Sequence, residues 1–137
     1  NDVKTTYSGN TLAKPLISPH RAFANAGYTH KSGWRFDYTI SWQSSKRIPG
    51  TESNPEAYRL PARSDAYWLS NAQVTKAFGQ KFEVYFGGEN IFSYRQPNPI
   101  ISAGDPYGNY FDASLGWGPV FGAMWYGGFR YRLIDEK

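Results

Sequence analysis

The chain has 137 residues, a net charge of +4 and no cysteine, which excludes a disulfide scaffold, a thiolate metal site and a Cys nucleophile. Aromatic residues make up 18% of it, far above what charged, apolar-poor disorder carries, and no run reaches the roughly 18 apolar residues that a membrane-spanning helix needs. The positive charge forms no Lys/Arg run and no RNA-binding motif, so nucleic acid is not expected as a partner.

The chain opens at Asn1, without an initiator Met or an apolar signal segment, and reads as a processed product or a fragment. Five strands are expected. The first runs from about His20 to His30, with Ala22, Ala24, Ala26 and Tyr28 alternating with Phe23, Asn25 and Thr29. Lys31-Ser32-Gly33 then leads into the second, Trp34 to Gln43, where Trp34, Phe36, Tyr38, Ile40 and Trp42 alternate with Arg35, Asp37, Thr39, Ser41 and Gln43. Burying each large apolar side chain is worth roughly 1.5–3 kcal/mol, whereas Arg35 at mid-bilayer would cost about 2–4 kcal/mol. If this strand crosses a membrane, its aromatic face must meet lipid, with Trp34 and Trp42 near the two interfaces.

A long segment rich in Pro, Ser and Asn, Ser44 to Ala66, leads to the third strand, Tyr67 to Phe78. There Trp68, Ala72, Val74 and Phe78 share a face with Lys76, opposite Asn71, Gln73 and Thr75. Gly79-Gln80 suits a two-residue hairpin turn into the fourth strand, Lys81 to Phe92, whose Phe82, Val84 and Phe86 oppose Lys81, Glu83, Tyr85 and Glu89. A second long segment, Ser93 to Pro119, precedes the fifth strand, Val120 to Leu133. Its alternate residues include Phe121, Trp125, Phe129, Tyr131 and Leu133 on one face and Met124, Tyr126, Arg130 and Arg132 on the other. Loops this long are uncommon inside a compact soluble domain. Short turns at one end and long loops at the other are the plan of outer-membrane barrels, with turns periplasmic and loops extracellular.

The expected fold is therefore all-β, five antiparallel transmembrane strands forming part of a larger outer-membrane β-barrel. Five strands cannot close such a barrel, since the smallest single chains use about eight, and an open edge in hydrocarbon leaves backbone groups unpaired at several kcal/mol each. Further strands must pair along both edges.

Gly88-Glu89-Asn90-Ile91-Phe92-Ser93 resembles the G-x-N-[LI]-F motif closing the penultimate strand of TonB-dependent receptors. Tyr110 to Ser114, then Trp117 to Gly122, leading into Gly127 to Leu133, is similar to their last extracellular loop and final strand. The hairpin from Arg21 to Gln43 and the stretch Leu69 to Val74 fit the preceding strands, so the resemblance covers residues 18 to 133. It implies the C-terminal part of a barrel of about 22 strands, integral to the bacterial outer membrane and importing a scarce ligand of the ferric siderophore, haem, cobalamin or glycan class. The implied partners are the remaining N-terminal strands and plug of the same receptor, TonB through that plug, outer-membrane lipid and lipopolysaccharide, and the outer-membrane assembly machinery. No plug sequence is present in this chain, and the tail Ile134-Asp135-Glu136-Lys137 departs from the many members that end on an aromatic or apolar residue.

Tyr126, Gly128, Tyr131 and Leu133 resemble the barrel assembly signal, although ordinary strand packing against lipid would use the same residues. Ligand-facing candidates are the loop residues Tyr94, Arg95, Tyr107, Tyr110 and Phe111, because aromatics with an Arg suit sugars, chelates and macrocycles; loop packing is the alternative use. Lys46, Arg47, Arg59, Arg63 and Arg95 are placed at an outer rim, either pairing with lipopolysaccharide phosphates or simply solvated. His20 and His30 are the only histidines, and Asp105 and Asp112 have no ligand spacing, so no enzyme activity, metal site or cofactor is expected. The competing reading is a soluble β-sandwich or β-barrel module that binds glycans on Tyr and Trp platforms.

Overall fold

A computed structural model describes residues 3–133. The expected features of the tail after Leu133 lie outside the described residues. Seven strands form two antiparallel sheets, with one 3-10 turn at Glu56–Tyr58 and no α-helix among the described residues. The strands are β1 Lys4–Tyr7, β2 Asn10–Ala13, β3 Arg21–Thr29, β4 Trp34–Gln43, β5 Tyr67–Phe78, β6 Phe82–Glu89 and β7 Met124–Tyr131. β1 and β2 form a hairpin, and the other five lie in sequence order β3-β4-β5-β6-β7. The second sheet is open. Its edges, β3 and β7, each have one side without a strand partner among the described residues.

The chain divides into two units. A loop unit holds the segment up to Ala22 with Trp42–Tyr67 and Arg95–Val120; a sheet unit holds Phe23–Ser41, Trp68–Tyr94 and the segment from Phe121 onward. The buried apolar side chains, Ile48, Tyr67, Ile101, Leu115 and Trp117, all belong to the loop unit. Both long segments there fold back on themselves. Arg47 bridges Arg63 with Ile48 bonded to Ala62, and Ile101 bridges Asp112. The side chain of Gln96, itself buried, accepts from the amides of Trp117 (2.7 Å) and Gly118 (2.9 Å) and donates to the Leu115 carbonyl (3.2 Å).

The β1–β2 hairpin was not legible as two strands, because each has only four residues. Its turn does carry a cue. Ser8 and Gly9 both take positive φ, 46° and 82°, as a two-residue hairpin matching the right-handed strand twist demands.

The first strand is Arg21–Thr29, one residue shorter at each end than expected, and the fourth and fifth strands depart further. Phe78 pairs with Phe82, so the β5–β6 turn is the three residues Gly79-Gln80-Lys81 rather than two. The period of two requires this: a two-residue turn would set Phe78 against Lys81 and put Glu83 and Tyr85 on the face of Val74 and Phe78. β6 ends at Glu89, three residues short of Phe92, because Asn90 turns into the left-handed region (φ 48°). The last strand is also shorter than expected, with Val120 to Ala123 preceding the ladder that starts at Met124↔Glu89.

Candidate functional site

Register assigns every side chain of the five-stranded sheet to one of two faces. Phe78↔Phe82, Lys76↔Val84 and Val74↔Phe86 across β5–β6, then Phe82↔Tyr131, Val84↔Phe129 and Gly88↔Trp125 across β6–β7, gather the aromatic set. The Ser70 hydroxyl donates to the Tyr38 hydroxyl (2.9 Å) and Tyr28 stacks on Phe36, which puts the even-numbered residues of β3 and β4 on this same face. Rings touch along it, Trp34 with Phe36 at 6.0 Å, Phe78 with Phe82 at 5.8 Å and Phe86 with Trp125 at 5.8 Å. Yet the face is bare. Trp68, Phe78, Phe86, Trp125, Phe129 and Tyr131 are all more than half exposed.

The opposite face is polar and internally bonded. Asn25 donates to the Thr39 hydroxyl (2.7 Å), Tyr126 donates to the Gln73 carbonyl oxygen (3.1 Å), and Gln73 donates to Thr75 (3.2 Å). Arg130 is ion-paired with Glu83 directly across the β6–β7 ladder. Phe23, 82% exposed, and Met124, 52% exposed, are large apolar exceptions on this face.

The β6–β7 pair is built on a reciprocal motif that sequence reading missed. Tyr85-Phe86-Gly87-Gly88 runs antiparallel to Trp125-Tyr126-Gly127-Gly128, so each glycine faces an aromatic ring: Tyr85↔Gly128, Phe86↔Gly127, Gly87↔Tyr126 and Gly88↔Trp125. The rings lie where a side chain would otherwise stand. A Cβ on Gly128 would come within 2.6 Å of the Tyr85 hydroxyl, one on Gly87 within 2.6 Å of Tyr126, and one on Gly88 within 2.7 Å of Trp125. Such cross-strand cover of glycine is a recognised means of fixing strand register. Gly128→Val should therefore lose about 1–3 kcal/mol by overpacking, with much of the loss recovered in Gly128→Val/Tyr85→Ala, measured as a double-mutant cycle in urea titrations.

The G-x-N-I-F segment acquires a physical role. Asn90 is buried, and its amide nitrogen donates to the carbonyls of Tyr94 (2.7 Å) and Phe121 (3.2 Å) while its oxygen accepts from the Tyr94 amide (3.1 Å). Its backbone amide donates to the Asn71 side chain (2.9 Å). One side chain thus ends β6, sets the exit of the following segment and ties the approach to β7. Asn suits the position because it tolerates positive φ and supplies two donors and an acceptor.

The expected ligand-facing residues fall in both units. Tyr107 is fully exposed in the loop unit, Arg95 and Phe111 are exposed there, and Tyr110 stacks on Tyr58 with ring centroids 5.0 Å apart and planes 14° apart. Tyr58, in the other long segment, was missed because no periodicity marks a residue in a Pro-rich loop. Tyr94 belongs to the sheet unit, and its hydroxyl is buried. Of the assembly-signal residues, Tyr126 and Gly128 lie on the polar face, Tyr131 lies on the aromatic face, and Leu133 is 86% exposed just beyond β7.

Lys46 corrects the rim reading. It is 5% exposed, and its ammonium donates to the Trp117 carbonyl and the Tyr67 hydroxyl (3.1 Å) while lying 5.0 Å from the Tyr67 ring centre. It staples the loop unit and is not presented to phosphates. Arg59 donates to the Asn54 carbonyl (2.7 Å), Arg63 to the Ser45 hydroxyl (2.8 Å) and Arg47 to the Ala13 carbonyl (3.2 Å), so these too serve loop structure. Among the described residues, no group of three or more His, Asp or Glu is placed to hold a metal ion.

No family model, curated protein or solved structure matches the chain. Among the described residues no helix is long and apolar enough to cross a membrane, which says nothing of a β-barrel.

Proposed function

We propose that the chain is a wall segment of an outer-membrane β-barrel, its aromatic face against lipid and its polar face toward a wet lumen. The observation that carries this reading is the open five-stranded sheet whose ring-lined face is bare while the opposite face is satisfied by hydrogen bonds and an ion pair. Contiguous apolar surface on this scale is rare on soluble monomers. Lipid covers it without a second layer of protein, and strands added at β3 and β7 satisfy the edges. A soluble glycan-binding sandwich would have to bury Trp34, Phe36 and Tyr38, which are instead exposed.

The transport role extends this proposal through the sequence resemblance to TonB-dependent receptors. In that reading the segment contributes lumen lining and two outer loops to ligand uptake, and the Tyr58–Tyr110 stack offers a flat apolar slab suited to a sugar ring or planar chelate. The native protein is expected to fractionate with outer membranes and to need detergent for extraction. Recovery of a folded, monodisperse 137-residue monomer from plain buffer would overturn the barrel reading.

A further inference from the structure

We infer that the aromatic face carries a seat for one anionic phospholipid, with an acyl chain in the trough that crosses this face and the phosphate at Lys76; this rests on the lipid-facing reading proposed above. A trough of about 460 Å³ crosses the aromatic face from Ala26 and Tyr28 on β3 over Ala72 and Val74 on β5. Phe36 and Tyr38 of β4 line it between these strands, and Phe86 with Trp125 line its far end. The walls are fixed rather than adaptable. Phe86 and Trp125 stack at 6° between planes, and Trp125 can lie flat because Gly88 has no side chain to displace it.

Beside the trough, two residues beyond Val74 on the same strand face, stands Lys76. Among the described residues it is the one charged side chain on the aromatic face of the five strands. Its ammonium lies 5.1 Å from the Trp34 ring centre and 5.8 Å from that of Phe78, and it donates to the Ser32 carbonyl. Two of its three N–H donors remain for a phosphate oxygen. The arrangement places an apolar slot and a cation in the order of a phospholipid's chain and headgroup, with aromatic rings at the level of the headgroup boundary. A charge-assisted bond to phosphate also explains why a cation is retained on a face otherwise free of charge.

The test is native mass spectrometry of the detergent-extracted protein in its whole membrane assembly, titrated with phosphatidylglycerol or with phosphatidylcholine. One phosphatidylglycerol should be retained several-fold better than phosphatidylcholine. Lys76→Gln should abolish that preference, Ala72→Phe should fill the trough and remove the adduct of either lipid, and Lys81→Gln, in the β5–β6 turn, should change neither. Equal retention by Lys76→Gln and wild type, or equal loss in Lys81→Gln, would overturn the seat. The same preparations in vesicles of brominated phosphatidylcholine separate this failure from that of the underlying reading, because Trp34, Trp68 and Trp125 share the aromatic face while Trp117 is buried in the loop unit. Strong tryptophan quenching with an unchanged adduct in Lys76→Gln removes the seat alone; absence of quenching removes the lipid-facing reading and the seat with it.

Discussion

Tyr38→Arg should destabilise the folded barrel by about 2–4 kcal/mol more than Thr39→Arg, although the two positions are adjacent in β4. Each substitution removes one side-chain hydrogen bond, Ser70 to the Tyr38 hydroxyl or Asn25 to the Thr39 hydroxyl, so that loss cancels in the comparison. What remains is the environment. Arg at position 38 would carry its charge into mid-bilayer lipid beside Phe36 and Trp125, whereas Arg at position 39 would enter a wet face already lined by Asn25 and Gln73. Urea titrations of folded barrel in lipid vesicles give the difference. Equal costs at the two positions would mean that neither face meets lipid.

Asn90→Ala is expected to cost about 2–4 kcal/mol, from three lost side-chain hydrogen bonds, the part-buried partners they leave behind, and an alanine forced to positive φ. Two of the abandoned partners lie on Tyr94 and one on Phe121, so the damage should reach the entry to β7 as well as the end of β6. Asn90→Gly should recover only the backbone part. Asn90→Asp keeps the acceptor for the Tyr94 amide but sets carboxylate oxygens against two carbonyls, and should be at least as damaging as alanine. An alanine variant within about 1 kcal/mol of wild type, read from the urea midpoint, would show that the Asn90 bonds do not hold this corner together.

The five-stranded sheet was legible because each strand alternates on its own. Trp34 to Gln43, where aromatic or β-branched residues at every second position suit a pleated strand, holds to its expected bounds, and so does the less regular Tyr67 to Phe78. The same alternation already contained the three-residue turn at Gly79-Gln80-Lys81, as Phe78 and Phe82 can share a face only across an odd number of residues. Turn composition alone suggested otherwise. What stayed hidden depends on distant partners. Nothing local marks Lys46 as buried between Tyr67 and Trp117, residues 21 and 71 positions away, and a lysine among loop arginines reads as a surface charge. Tyr58 stacks on Tyr110 across two aperiodic segments, and no pattern within either announces it. The glycine–aromatic lattice lay in plain view as two Gly-Gly pairs each preceded by two aromatics, but its meaning needs the register that sets one against the other.

Facing is the point on which the account stands. The chain has no native cysteine, so Tyr38→Cys and Thr39→Cys each give one site in it for a nitroxide spin label. In the native membrane assembly the label at position 38 should collide with oxygen, which concentrates in the hydrocarbon, and be shielded from a water-soluble nickel chelate. The label at position 39 should show the opposite preference. Reversed accessibilities, or two labels equally open to the chelate, would place Arg35, Asp37 and Glu83 on the outside of the sheet and contradict a membrane barrel.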